Sequence, residues 1–162
     1  MSIMKLNGIL KINMILYTQL MLNSHYHWTR QELIDRTKSL EEQANMLFEA
    51  PFAVAAYSTG LNPVCKYANK IALRLFDVAK DYIDASSLGI VNEIPEQRLG
   101  SELTRCIRRS NYIDNYKSLE VLMAAKSLFI QDALAWNVLD ELGEHCGQAV
   151  TFSNWKLISH AA

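Results

Sequence analysis

Between Ile113 and Trp155 apolar and polar residues alternate in three consecutive runs, which predict three antiparallel strands. The first covers 113–122 and is followed by a short turn over 123–126. The second covers 128–138, the turn 140–143 follows it, and the third covers 147–155. Gly143 supplies the residue that can take positive φ in the second turn. Side chains on a strand alternate faces, so the middle run has one parity of Phe129, Gln131, Ala133 and Ala135, and another of Ile130, Asp132, Leu134, Trp136 and Val138. Neither parity is solvent-like, so both faces are expected to be covered. The bulky one suits a helix packed on the back of the sheet.

Upstream, Met14–Leu22 is helix-compatible but apolar on more than one side, and 23–28 breaks the pattern. Thr29 and Glu32 have capping-box spacing, which predicts a helix over 29–49 that ends before Pro51. Leu33, Leu40, Ala44 and Leu47 form its stripe, with Glu32 and Arg36 an i,i+4 pair. Short strands are expected over 52–58 and 64–67, with a turn over 59–63 between them. Asn69 is placed to cap a helix over 70–76. A short turn or helix over 77–83 and a loop over 86–94 follow. Pro95 opens a helix with Leu99, Leu103, Cys106 and Ile107 on its inward side.

Composition narrows the classes. The chain has 162 residues, half hydrophobic and a fifth charged, enough for one domain with a peripheral segment. We read 1–28 as a partly helical N-terminal extension and 29–162 as the domain with its first helix. The net charge of −1 offers no basic face for nucleic acid. Arg105, Arg108 and Arg109 lie near Glu96 and Glu102, as on a solvated helix face. Cys65, Cys106 and Cys146 are odd in number and lack CxxC spacing, which points to a cytoplasmic protein without a disulfide framework. Polar residues interrupt the N-terminus before a signal-peptide core develops, and no run reaches the length of a membrane span.

Candidate chemistry is sparse. The sequence holds no phosphate loop, nucleophile elbow or HExxH motif, so no catalytic residue is assigned and the expected class is non-enzymatic. His25 and His27 are two apart, which on a helix puts them on different faces; no metal site is assigned. His145 and Cys146 are adjacent, and neighbours on a strand point apart. What remains is a candidate ligand pocket on one sheet face, the alternative being a continuous core with no cavity. By parity its candidates are Leu119, Val121, Phe129, Gln131, Gln148, Val150 and Phe152. Two buried glutamine amides must bond each other, the backbone, water or a ligand, since each left unpaired costs roughly 1–3 kcal/mol.

Two strands, a helical crossover and a three-stranded meander resemble a PAS domain. A closer resemblance is to the MEKHLA domain in its free-standing bacterial form, a PAS-like family. The resemblance is carried by His27-Trp28-Thr29, Lys66–Asn69, Ile113–Tyr116, Ala135–Asp140 and Gly147–Phe152, over about residues 25–157. It implies an α+β fold: a PAS-like, five-stranded antiparallel sheet with short helices on one face and an N-terminal helical extension. It also implies a sensory or regulatory domain that binds a small-molecule ligand or a protein partner, its cofactor unspecified. The alternative is a ligand-free interaction or dimerisation module, and a small-molecule enzyme is the remaining one. Helix 29–49 is expected to cover the back of the sheet, with Met14–Leu22 helping to form a homodimer. Deleting 1–28 should then weaken association and leave the fold, and Leu40→Asp should damage both.

Overall fold

The structure is a computed structural model that describes residues 8–59, 65–75, 113–123 and 126–159. The elements expected over 77–109 and most of the 59–63 turn lie outside the described residues. Helix α1 spans Gly8–Thr29 and α2 Leu40–Phe48. Strands β1 (Ala53–Ser58) and β2 (Cys65–Ala68) precede helix α3 (Lys70–Leu75). Strands β3 (Ile113–Met123), β4 (Lys126–Leu139), β5 (His145–Phe152) and β6 (Asn154–Ser159) complete the set. The strand order is β2-β1-β5-β4-β3 with every pairing antiparallel, and β6 also pairs with β4. This is the PAS-like α+β arrangement that the resemblance implied.

The C-terminal meander forms close to the expected bounds. Met123 pairs with Lys126 at the first hairpin. In the second, Gly143 takes φ 80 and its amide donates to the Asp140 carbonyl at 3.0 Å. Asp140 Oδ1 accepts from the amides of Leu142 and Glu144, both at 2.9 Å. Strands β5 and β6 run along one edge of β4 in a single register, from Val138 opposite Gly147 to Lys126 opposite Ser159. The six strands are thus a five-stranded sheet whose last strand is creased.

The crease crosses three strands. Asp132 sits at φ 57, a left-handed conformation rare for a non-glycine residue. The β3–β4 ladder passes from Tyr116–Ala133 to Ser118–Gln131, and the β4–β5/β6 ladder lapses between Leu134–Thr151 and Gln131–Asn154. Burial resets there. Before it, Leu128 and Ile130 are buried; Gln131 and Asp132 are exposed; after it, Ala133 and Ala135 are buried. Phe152 and Trp155, three residues apart, meet edge-to-face with ring centroids 6.0 Å apart. A strand of unbroken parity would put them on opposite faces.

The N-terminal helices differ from expectation. The helix predicted over 29–49 does not form as one element. Thr29 ends α1: its Oγ1 donates to the His25 carbonyl at 2.8 Å and accepts from the Gln31 amide at 3.0 Å. Arg30 follows at φ 60, with its amide on the Tyr26 carbonyl, as in a left-handed helix stop. Asp35 Oδ1 accepts from the amide and hydroxyl of Thr37 at 2.9 and 2.7 Å, a local turn that competes with helix. The operating capping box lies ten residues later. Ser39 Oγ accepts from the Glu42 amide at 3.1 Å and donates to the Glu42 carboxylate at 3.0 Å. Arg36 binds this irregular stretch to both helices, reaching Gln43 at 2.6 Å, Asn23 at 2.7 Å, Gln19 at 2.9 Å and Glu32 at 3.2 Å.

The cover of the sheet is therefore α1. Its inward positions are Met14, Thr18, Met21, Leu22, Ser24 and His25, all buried. The Trp28 indole donates to the Asn137 carbonyl at 2.8 Å, and Ser24 Oγ accepts from the Leu139 amide at 2.8 Å. Residues 23–28, read as a break, belong to this helix because tertiary bonds satisfy its polar side chains. Truncation of 1–28 would remove Met14, Met21 and Leu22 from the core and not only an outlying arm. Leu40, 53% exposed at the start of α2, is not an inward residue either.

Asn69 joins the rest. It caps α3 by accepting from the Ala72 amide at 3.1 Å, as its position predicted. The same Oδ1 accepts from the Val54 amide at 3.0 Å, while Nδ2 donates to the Leu47 and Phe52 carbonyls at 3.1 and 2.7 Å. One fully buried amide thus holds α2, β1 and α3 together.

Candidate functional site

Trp136 points to α1, and its cross-strand row on that face continues through Ala149 and Ala56. The opposite face carries the adjacent rows. One is Asn137, Gln148 and Tyr57; the next is Ala135, Val150 and Ala55; Phe152 lies opposite Ala53. Beyond the crease, Ile130 lies between Leu119 and Trp155, and Leu128 between Val121 and Leu157. The Phe152–Trp155 contact joins the two halves into one face.

Five of the seven pocket candidates meet there. Val121, Val150 and Phe152 are buried, and Leu119 and Gln148 are half-buried. The crease separates the other two. Gln131 is exposed and accepts from Asn154 Nδ2 at 3.0 Å, so its amide is satisfied on the outer surface. Phe129 is half-buried beside it, and both line an open cleft of about 500 Å3 with Asn154, Trp155, Lys156 and Ile158. Continuous parity from Phe129 to Ala135 is what grouped these residues in the sequence, and Asp132 breaks that parity.

Sequence reasoning missed Tyr57. It is 5% exposed, stands beside Gln148 in the β1–β5 register, and its hydroxyl has no hydrogen-bond partner among the described residues. Burial raises its pKa well above the ordinary phenol value, with a smaller contribution from Cys65, so it remains a neutral hydroxyl. Ala53, Ala55, Ala133 and Ala135 around this face are all buried and small. The signal was present in the alternation of Ala53, Ala55 and Tyr57 along β1. The hydroxyls of Tyr17 and Tyr67 are also buried without partners.

The two described cysteines, Cys65 and Cys146, are poor nucleophiles. Burial pushes the Cys65 thiol up to about 12, against a smaller lowering from a backbone hydrogen bond of Tyr67. Cys146 is raised too, by burial first and then by Asp140 and Glu141. Of the two helix histidines, His25 is buried and His27 exposed. Among the described residues no three His, Cys, Asp or Glu side chains are grouped to hold a metal ion.

The MEKHLA domain family profile matches residues 15–157, from the second turn of α1 to β6. The chain belongs to the MEKHLA domain family. A comparison with curated proteins finds no match. In this MEKHLA domain, Ala135–Asp140 is the half of β4 that docks α1 and enters the last hairpin. Gly147–Phe152 is the strand between β4 and β1. Gly147 is required where it stands, because a Cβ there would lie 2.7 Å from the Tyr57 carbonyl oxygen and 3.1 Å from the Tyr17 hydroxyl. Lys66–Asn69 ends in the asparagine that ties three elements together. The family's motifs thus fall on the joints of the fold. A sensory or regulatory role is plausible for a domain of this PAS-like family. No helix among the described residues is long and apolar enough to cross a membrane.

Proposed function

We propose that this MEKHLA domain is a cytoplasmic, non-enzymatic sensor that binds a small, uncharged, largely apolar ligand on the sheet face opposite α1. The observation that carries the reading is the Tyr57 hydroxyl, buried and unpartnered beside the Gln148 amide. A buried hydroxyl left without a bond costs roughly 1–3 kcal/mol, and a ligand oxygen or nitrogen would supply that bond. Leu119, Val121, Val150 and Phe152 form the apolar part of the face. The ligand's signal passes to a second copy of the chain or to a protein partner. Cys65 and Cys146, both free thiols, favour a reducing compartment.

The test is to purify the full chain from cells, record its absorbance, and analyse the denatured protein for small molecules by mass spectrometry. A reproducible compound, depleted in Tyr57→Phe, supports the reading. Repeated emptiness favours the second reading, a ligand-free dimerisation module. That reading draws on Ile12 and Leu16, one turn apart on α1 and 57% and 52% exposed. Turnover of a metabolite abolished by Gln148→Ala would return the enzyme alternative.

A further inference from the structure

The docking of α1 on β4 is concentrated at positions Met21, Ser24, His25 and Trp28, spaced i, i+3, i+4 and i+7 on one helix face. Of these, His25 alone titrates near neutral pH. Its ring is 4% exposed and lies edge-to-face with Trp136, centroids 4.9 Å apart. Nδ1 is 3.0 Å from the Gln31 carbonyl, a geometry in which this nitrogen carries the hydrogen of the neutral ring and donates it. Thr29 Oγ1 lies 3.4 Å from the same nitrogen and is already committed to the His25 and Gln31 carbonyls and the Gln31 amide. A second proton would go to Nε2.

We infer that His25 is an acid-sensitive latch: its protonation releases the C-terminal half of α1 from the end of β4 while the sheet stays folded.

The charges around the ring decide the sign. From the irregular stretch after α1 the facing carboxylate is Glu32, whose oxygen is already paired with Arg36 at 3.2 Å. From β4 the neighbour is Trp136, which is uncharged. From α1 itself come Thr29 and the C-terminal end of the helix, whose dipole attracts a cation. These attractions are outweighed by desolvation, which lowers the His25 pKa from 6.5. The released ring keeps the ordinary value, so it binds a proton at a higher pH than the docked ring does. Docking is therefore at full strength above 6.5 and weakens as pH falls below it. The indoles of Trp28 and Trp136 both donate across this contact, to Asn137 and Met21, so release frees both.

The experiment uses the full chain carrying Trp155→Phe, so that Trp28 and Trp136 alone report by fluorescence from about pH 7.5 down to about pH 5. The expected result is a reversible red shift in acid, lost in His25→Gln and kept in His27→Gln. Amide exchange should rise over residues 21–29 while β4 and β5 stay protected. An emission that does not move, a shift that survives His25→Gln, or loss of protection throughout the sheet overturns the latch. Should His25→Gln fail to fold, the imidazole NMR titration of the unsubstituted histidine decides. An apparent pKa below 6.5 supports the inference, and one at or above it overturns it.

Discussion

The indole N–H of Trp136 donates to the main-chain carbonyl of Met21 at 3.1 Å, across 115 residues of chain. It is the point at which the last hairpin of the sheet recognises the first helix. Trp136 and Met21 are both fully buried. Trp136→Phe keeps most of the apolar contact and orphans the bond, so it should destabilise the domain by about 1–3 kcal/mol. Urea unfolding measures it, and an unchanged midpoint would show that the bond contributes nothing.

Asn69→Ala should be worse. The substitution removes four bonds at 2.7–3.1 Å from a fully buried amide that ties main-chain groups of α2, β1 and α3 together. The loss should exceed about 3 kcal/mol, since each abandoned buried group costs roughly 1–3 kcal/mol. Thermal unfolding by circular dichroism checks it, with Lys70→Ala, which loses only an exposed pair to Glu49, as the control.

The position of the α2 cap is tested by three substitutions. Ser39→Ala should cost about 1 kcal/mol. Leu40→Asp, at an exposed first-turn position, should stay within about 0.5 kcal/mol of the parent. Thr29→Ala should act through the C-terminus of α1 and leave α2 protected in amide exchange.

Thiol labelling at pH 8 should separate the cysteines. With its pKa near 12, Cys65 offers about one thiolate in ten thousand there, inside a buried site. It should stay unmodified in the native protein and react fully in denaturant, while half-buried Cys146 reacts slowly without denaturant. Peptide mass mapping reads both, and rapid native labelling of Cys65 would contradict its burial.

Self-association, if it runs through the outward face of α1, depends on Ile12 and Leu16. Ile12→Glu with Leu16→Glu should give a monomer mass by light scattering at micromolar concentration, with unfolding shifted by less than about 0.5 kcal/mol. A parent chain that is already monomeric ends the dimer proposal.

The sequence by itself determined the sheet. Alternation in 113–155, the turn chemistry of Asp140–Gly143 and the capping position of Asn69 are local properties, and each element they predicted formed within a few residues. It also determined that Trp136 needs a helical cover. Which helix provides it was decided only in three dimensions. Helix α1 buries Thr18, Ser24 and His25 among Met14, Met21 and Leu22 and exposes Ile12 and Leu16, so it lacks the clean apolar stripe of an ordinary amphipathic helix. No hydrophobic period marks a face on which Ser24 and His25 find their partners in Leu139 and Gln31, more than a hundred residues away in one case and around the helix end in the other. The candidate pocket divided for a similar reason. One residue of positive φ, Asp132, resets which side chains share a face, and an aspartate gives no local sign that its backbone will be held there. Parity is a rule of regular strands, and tertiary packing decided where this strand ceases to be regular.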